Sequence, residues 1–177
     1  MDNLPSYVYL TFGLTVMLTI WLFFRSFNKQ SGGRFLDRMD LKNLTLVHLV
    51  AIPVELVFYW LYLHKAIPKI MTFEGRNFDI LSGLSAPFIW YFGFVRQKLG
   101  RTALIIWNLV TLGLLINAGT LAVLSIPTPF QQFGFDQPNI ALGRFPFFLL
   151  PACLVPLVLL SHLFSLSKLF RRPLPPG

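Results

Sequence analysis

Long apolar runs separated by short polar segments dominate the chain. The runs do not alternate apolar and polar residues as transmembrane β-strands do. Most approach the roughly 20 residues that a helix needs to cross a bilayer, and only a helix satisfies its own backbone in lipid. The pattern predicts an all-α integral membrane protein, a single membrane domain over residues 1–177 that forms a bundle of about five transmembrane helices. These helices are expected at 7–24, 44–63, 80–95, 102–125 and 147–166.

Composition supports this interpretation. The chain is 55% hydrophobic and only 12% charged, whereas ordinary soluble domains carry about 25% charged residues. Its net charge of +8 falls between the apolar runs, and no nucleic-acid-binding motif accompanies it. We therefore expect the lipid bilayer, and not nucleic acid, as the partner of the basic residues.

The basic residues also predict an orientation. Eleven of the fifteen lie on one side of a five-span arrangement, and the other side holds Lys65, Lys69, Arg76 and Arg144. By the positive-inside rule, the N-terminus is outside and the C-terminus is cytoplasmic. We expect a multi-pass protein of the cell membrane, with a bacterial inner membrane favoured by the small size and compact loops. On the inner side, residues 28–43 form either a short amphipathic helix or a charged loop.

The second run carries two ionisable residues, His48 and Glu55. They are seven positions apart, so about 20° separates them on a helical wheel. Tyr59 and Tyr62 lie on the same face, and we expect this polar stripe to face the bundle interior. Because a mid-membrane carboxylate costs roughly 2.5–3.5 kcal/mol, Glu55 is a strong candidate for function, with His48 or Asn117 as its expected partner.

A second histidine, His162 in the fifth run, is predicted at the depth of His48 and Asn108. Two facing histidines are able to ligate haem iron, to hold a metal together with Glu55, or to relay protons. Ordinary hydrogen bonding between helices is the alternative. The cofactor stays open and no metal site is predicted. The single cysteine, Cys153, excludes an intrachain disulfide and a cysteine metal centre.

The two longer outer loops contain a second candidate site. If they meet over the bundle, their polar side chains form one cluster. Its members are Glu74, Arg76, Asn77, Asp79, Gln131, Gln132, Asp136, Gln137 and Asn139. The alternative is that these residues form turns and caps, with Asp79 as the N-cap of the third helix.

These features support three hypotheses. The leading one is a protein that binds or transports a small molecule or lipid within the bundle, with Glu55 as the polar anchor and the outer loops as a lid. The second is a membrane-embedded enzyme, acting in haem redox chemistry or lipid modification through His48, Glu55 and His162. The third is a non-catalytic subunit of a larger membrane complex, and a homo-oligomer is also open. No phosphate loop, nucleophile elbow or zinc-protease motif is present in the sequence.

Overall fold

A computed structural model describes residues 39–171 and eight positions between 13 and 25. Those eight positions have helical backbone. Within the described residues every regular element is a helix and there is no strand, which confirms the all-helical prediction. The rest of the first predicted span, and the inner segment up to residue 38, lie outside the described residues.

Four long helices lie within residues 39–171: α1 at Leu41–Leu63, α2 at Ile80–Val95, α3 at Arg101–Leu124 and α4 at Leu150–Arg171. By length and composition, α1, α3 and α4 are each able to cross a membrane, and α2 is apolar but shorter. Each helix covers most of one predicted apolar run.

Irregular helical turns lie close to prolines. Pro53 has no N–H to donate to the carbonyl one turn earlier, and the preceding turn, His48–Val50, winds as a 3-10 helix. Pro87 lies inside α2, which ends in a π-helical turn at Tyr91–Val95. The first turn of α4 is also π-helical and contains Pro151. Such irregularities bend helices and leave space between them.

The helices pack as a ring in which α1 contacts α2 and α4, and α3 contacts the same two helices. Small residues bring α2 against α1: Ser82, Gly83 and Ala86 are all buried. A Cβ on Gly83 would lie 2.8 Å from Cγ1 of Ile52 and 3.1 Å from the carbonyl oxygen of His48. This close contact fixes α2 beside the polar face of α1.

Two loops cover one end of the ring and pack on each other. Backbone N–H groups of Ile140 and Ala141 donate to the carbonyl oxygen of Ala66, at 3.1 and 3.3 Å. The Gln137 side chain donates to the carbonyl oxygen of Ile67, and Ile67 lies in an apolar core shared with Leu142. The loop 64–79 and the loop 125–149 therefore form one layer over the helices.

The opposite end is held by basic side chains. Arg101 donates to the carbonyl oxygen of Phe170 at 3.1 Å, and Lys168 donates to that of Met39. These contacts bring the start of α1, the start of α3 and the end of α4 together.

Candidate functional site

A cavity of about 730 Å³ lies between α1, α3, α4 and the two loops, and Gly13 of the first apolar run also lines it. Sites for small ligands have volumes of this order, about 300–1,000 Å³. Its wall is mainly apolar, with Phe58, Leu115 and Val158 among the lining residues. Phe130 also lines the cavity and is 78% exposed, so the cavity reaches the surface beside this side chain. Among the described lining residues, four have polar side chains: Glu55, Asp79, Thr128 and Asn139.

Glu55 brings a carboxyl group to this wall from the middle of α1. The residue is 1% exposed, and its Oε1 accepts a hydrogen bond from Nδ2 of Asn77. Its Oε2 is buried and has no hydrogen-bond partner among the residues that the structure describes. Buried polar atoms nearly always have a partner, so this cavity-lining residue carries an acceptor that its described neighbours leave unsatisfied.

Asn77 connects the loop 64–79 to α1. Its Nδ2 also donates to the carbonyl oxygen of Met71 at 3.0 Å, and its Oδ1 accepts from the backbone N–H of Asp79 at 3.2 Å. The sequence pattern assigns Asn77 to the outer-loop cluster and gives no sign of its contact with Glu55. Asn77 reaches Glu55 because the loop folds back over the end of the helix, a path that no local pattern indicates.

Asp79 is the second carboxyl group of the cavity. It occupies the N-cap position of α2, but its side chain accepts no hydrogen bond from the first turn of the helix. The predicted N-cap position is therefore correct, but the side chain makes a different contact: the Ser82 hydroxyl lies 3.1 Å from Oδ1 and 2.6 Å from the carbonyl oxygen of Asp79. Burial raises the pKa of the Asp79 carboxyl, and the hydrogen bond from Ser82 opposes this increase. Asn77 contacts both acidic residues, through Oε1 of Glu55 and the backbone N–H of Asp79, so Glu55 and Asp79 are neighbours in the site.

His48 and His162 form a separate cluster, and both are fully buried. Nε2 of His48 lies 3.2 and 3.1 Å from the two ring nitrogens of His162, with the rings at 80°. Nδ1 of His48 lies 3.1 Å from the carbonyl oxygen of Leu44, and Nδ1 of His162 lies 3.4 Å from Oδ1 of Asn108. Because a carbonyl only accepts, Nδ1 of His48 carries a proton. The three residues of the predicted layer thus join α1, α3 and α4 through polar contacts.

This geometry gives no support to haem ligation. The two imidazoles contact each other directly, and an iron porphyrin between them would need the rings to separate. In the part of the chain that the structure describes, no group of three side chains able to hold a metal is found. Glu55 hydrogen-bonds to Asn77 and not to either histidine, so the residues suggested for an enzyme belong to two clusters.

Other predicted members of the stripe lie outside the cavity. The Tyr59 ring packs on Phe73, with centroids 5.0 Å apart, and Tyr62 packs beside Tyr59; neither lines the cavity. Asn117 donates to the carbonyl oxygen of Arg76 at 2.8 Å. Its expected role as the partner of Glu55 is therefore wrong. The loop 64–79 contacts Glu55 through Asn77 and contacts Asn117 through the carbonyl oxygen of Arg76.

The outer-loop cluster does not converge on one place. Glu74 is exposed and lies 3.6 Å from Lys69, while Gln132 and Asp136 are exposed on the other loop. Asn139 is buried, donates to the carbonyl oxygen of Ala122 and accepts from the N–H of Leu142. Asn77 and Asp79 belong to the Glu55 site, and Asn139 stabilises the loop that closes the cavity.

The described residues form an all-helical fold with three helices of membrane-spanning length and two buried carboxyl groups beside an apolar space. The chain belongs to the DUF8737 family, a domain of unknown function, whose family model matches residues 7–170. No curated protein and no solved structure matches it.

Proposed function

We propose that this protein is a polytopic membrane protein that binds, and in its cellular role transports, a small amphiphilic molecule or lipid within the helical bundle. The apolar part of the ligand fills the cavity, and its polar end hydrogen-bonds to Glu55. The observation that carries this proposal is the unpartnered, buried Oε2 of Glu55 on the wall of a large apolar cavity.

Energetics favour a ligand-binding role for Glu55 over a packing role. An unsatisfied buried acceptor costs about 1–3 kcal/mol, and a carboxyl group inside a spanning helix is itself costly. The neighbouring positions on this face, Ala51, Val54 and Phe58, are apolar, and an apolar residue at position 55 would avoid both costs. A ligand that donates to Oε2 removes the first of them.

The surface of α3 supports a lipid environment. Large apolar side chains at Ile106, Leu109, Val110 and Ile116 are each at least half exposed. A continuous apolar stripe of this kind is unusual on a protein in water, but lipid covers it without penalty. We therefore place the helices in a membrane and extend the count to five by including the first apolar run.

Basic residues favour the orientation with the N-terminus outside. The end where Arg101 contacts Phe170 also carries Lys42, Arg96, Lys98, Lys168 and Arg171. The loop-covered end carries four basic residues. By the positive-inside rule, we assign the first end to the cytoplasm and the loop layer to the outside. We further propose a cell membrane of bacterial inner-membrane type, because the protein is small and its loops are compact.

Native mass spectrometry of the protein, extracted in mild detergent, tests ligand binding. We expect a discrete adduct on the wild type and its loss in Glu55→Gln. A second variant, Gly119→Leu, fills the cavity: Gly119 lines it, and a Cβ there meets nothing within 4 Å. The matched control is Gly113→Leu, on the same helix, equally unobstructed but exposed and outside the lining. An adduct that survived both test variants, or no adduct on any protein, would refute the proposal.

A further inference from the structure

The charged groups of the cavity all have the same sign. Glu55 and Asp79 are acidic, and none of the described lining residues is Lys, Arg or His. Two nearby carboxyl groups in an apolar space are both ionised only if a cation is present. The cavity therefore offers two acidic groups that a cation is needed to ionise, and its described wall supplies no such cation.

Hydrogen-bond donors are also too few for these carboxyl groups. Asn77 supplies one donor to Glu55, and Ser82 supplies one to Asp79. Oε2 of Glu55 receives none. A primary ammonium carries three donors and one positive charge. It therefore supplies both the missing hydrogen-bond donors and the missing counterion.

The same wall disfavours other polar ends. A carboxylate or phosphate would be repelled by both acids and would find no basic lining residue to bind. A zwitterionic lipid would place its phosphate in the same acidic, apolar surroundings. An amine without an anionic group does not meet this repulsion, and its alkyl part suits a wall built from Phe58, Leu115 and Val158.

We infer that the ligand is an amphiphilic amine, with its ammonium group between Glu55 and Asp79 and its apolar part in the cavity. This inference rests on the proposed function and narrows it to one class of ligand. Asn77 and Ser82 hold the two carboxyl groups in place, and the loop layer covers the charged end of the site.

Calorimetric titration of the purified protein in detergent compares four probes: decylamine, decanol, decanoic acid and phosphatidylethanolamine. We expect decylamine to bind most tightly. Because hydrogen bonds to charged groups are the strong ones, Glu55→Gln and Asp79→Asn should each weaken its binding by about tenfold or more. The matched controls Glu74→Gln and Asp136→Asn remove exposed acids and should leave the affinity unchanged. Gly119→Leu, which keeps both carboxyl groups, should also abolish binding.

The outcomes separate the inference from the proposed function. Decanol binding as tightly as decylamine, with Glu55→Gln and Gly119→Leu still weakening it, would overturn the amine and leave a neutral ligand in the cavity. Tight binding of phosphatidylethanolamine would also overturn the inference, in favour of a zwitterionic lipid. Decylamine that binds equally to the wild type and to every variant reports partition into detergent and would overturn the inference as well. Absence of binding by all four probes, together with no native adduct, would refute both the inference and the proposed function.

Discussion

Replacing Asn77 with alanine removes three hydrogen bonds at the centre of the site. The groups left without a partner are Oε1 of Glu55, the carbonyl oxygen of Met71 and the backbone N–H of Asp79. Each buried group left unsatisfied costs about 1–3 kcal/mol, and we take the lower end of that range for each of the three groups. The free energy of unfolding should therefore fall by about 3 kcal/mol.

Reversible unfolding in mixed detergent and sodium dodecyl sulfate measures this change. The matched control is Asn117→Ala, which removes a single bond to the carbonyl oxygen of Arg76 from a partly exposed position. We expect the control to lower the free energy of unfolding by about 1 kcal/mol or less.

A double-mutant cycle assigns part of the loss to Glu55. In a Glu55→Leu background the carboxyl group is absent, so Asn77→Ala should cost less by an interaction energy of about 1–2 kcal/mol. If Asn77→Ala were no more destabilising than Asn117→Ala, or if the cycle showed no coupling, Asn77 would not be the partner of Glu55 and the geometry of the site would be wrong.

Three further results are expected. Gly83→Val should destabilise the protein by about 1–3 kcal/mol through overpacking of α2 on α1, measured by the same unfolding assay, whereas Gly113→Val, which meets no atom, should not. Burial raises the pKa of Asp79 in the folded protein. The stability that its protonated carboxyl group contributes is therefore present below its ordinary pKa and is lost as pH rises through the raised value. Unfolding curves of Asp79→Asn measured over the same pH range should not show this loss of stability. In a Cys153→Ser background, an impermeant maleimide should modify Asp136→Cys in intact cells and Lys98→Cys only after lysis; the reverse would contradict the orientation.

Depth along a helix could be predicted from the sequence because the rise per residue is fixed. His48, His162 and Asn108 were expected in one layer from their distances to the ends of their runs, and the structure brings them together. Glu55 was selected by the cost of a carboxyl group inside an apolar helix, and it does line the cavity. Both inferences need only the period and the rise of a helix.

Contacts made by loops could not be predicted in this way. Asn77 reaches Glu55, and Gln137 reaches the carbonyl oxygen of Ile67, through loop paths that tertiary packing determines. Wheel angle alone also failed for Tyr59: the cavity follows the face of Glu55 and Phe58, and Tyr59 packs on Phe73 beside it. Local pattern did predict Asp79 as the N-cap residue of α2, but it did not predict the position of its side chain on the cavity wall.

Photo-cross-linking tests the central claim, that an amphiphile lies in the cavity with its polar end at Glu55. Decylamine and decanol that carry a diazirine at the end of the alkyl chain would be irradiated with the wild type and with Glu55→Gln, and the modified residues identified by peptide mass spectrometry. We expect modification of cavity-lining residues such as Leu115 and Val158 in the wild type, and its loss in Glu55→Gln. Modification confined to the exposed faces, at residues such as Ile106, and equal in the two proteins would contradict the claim.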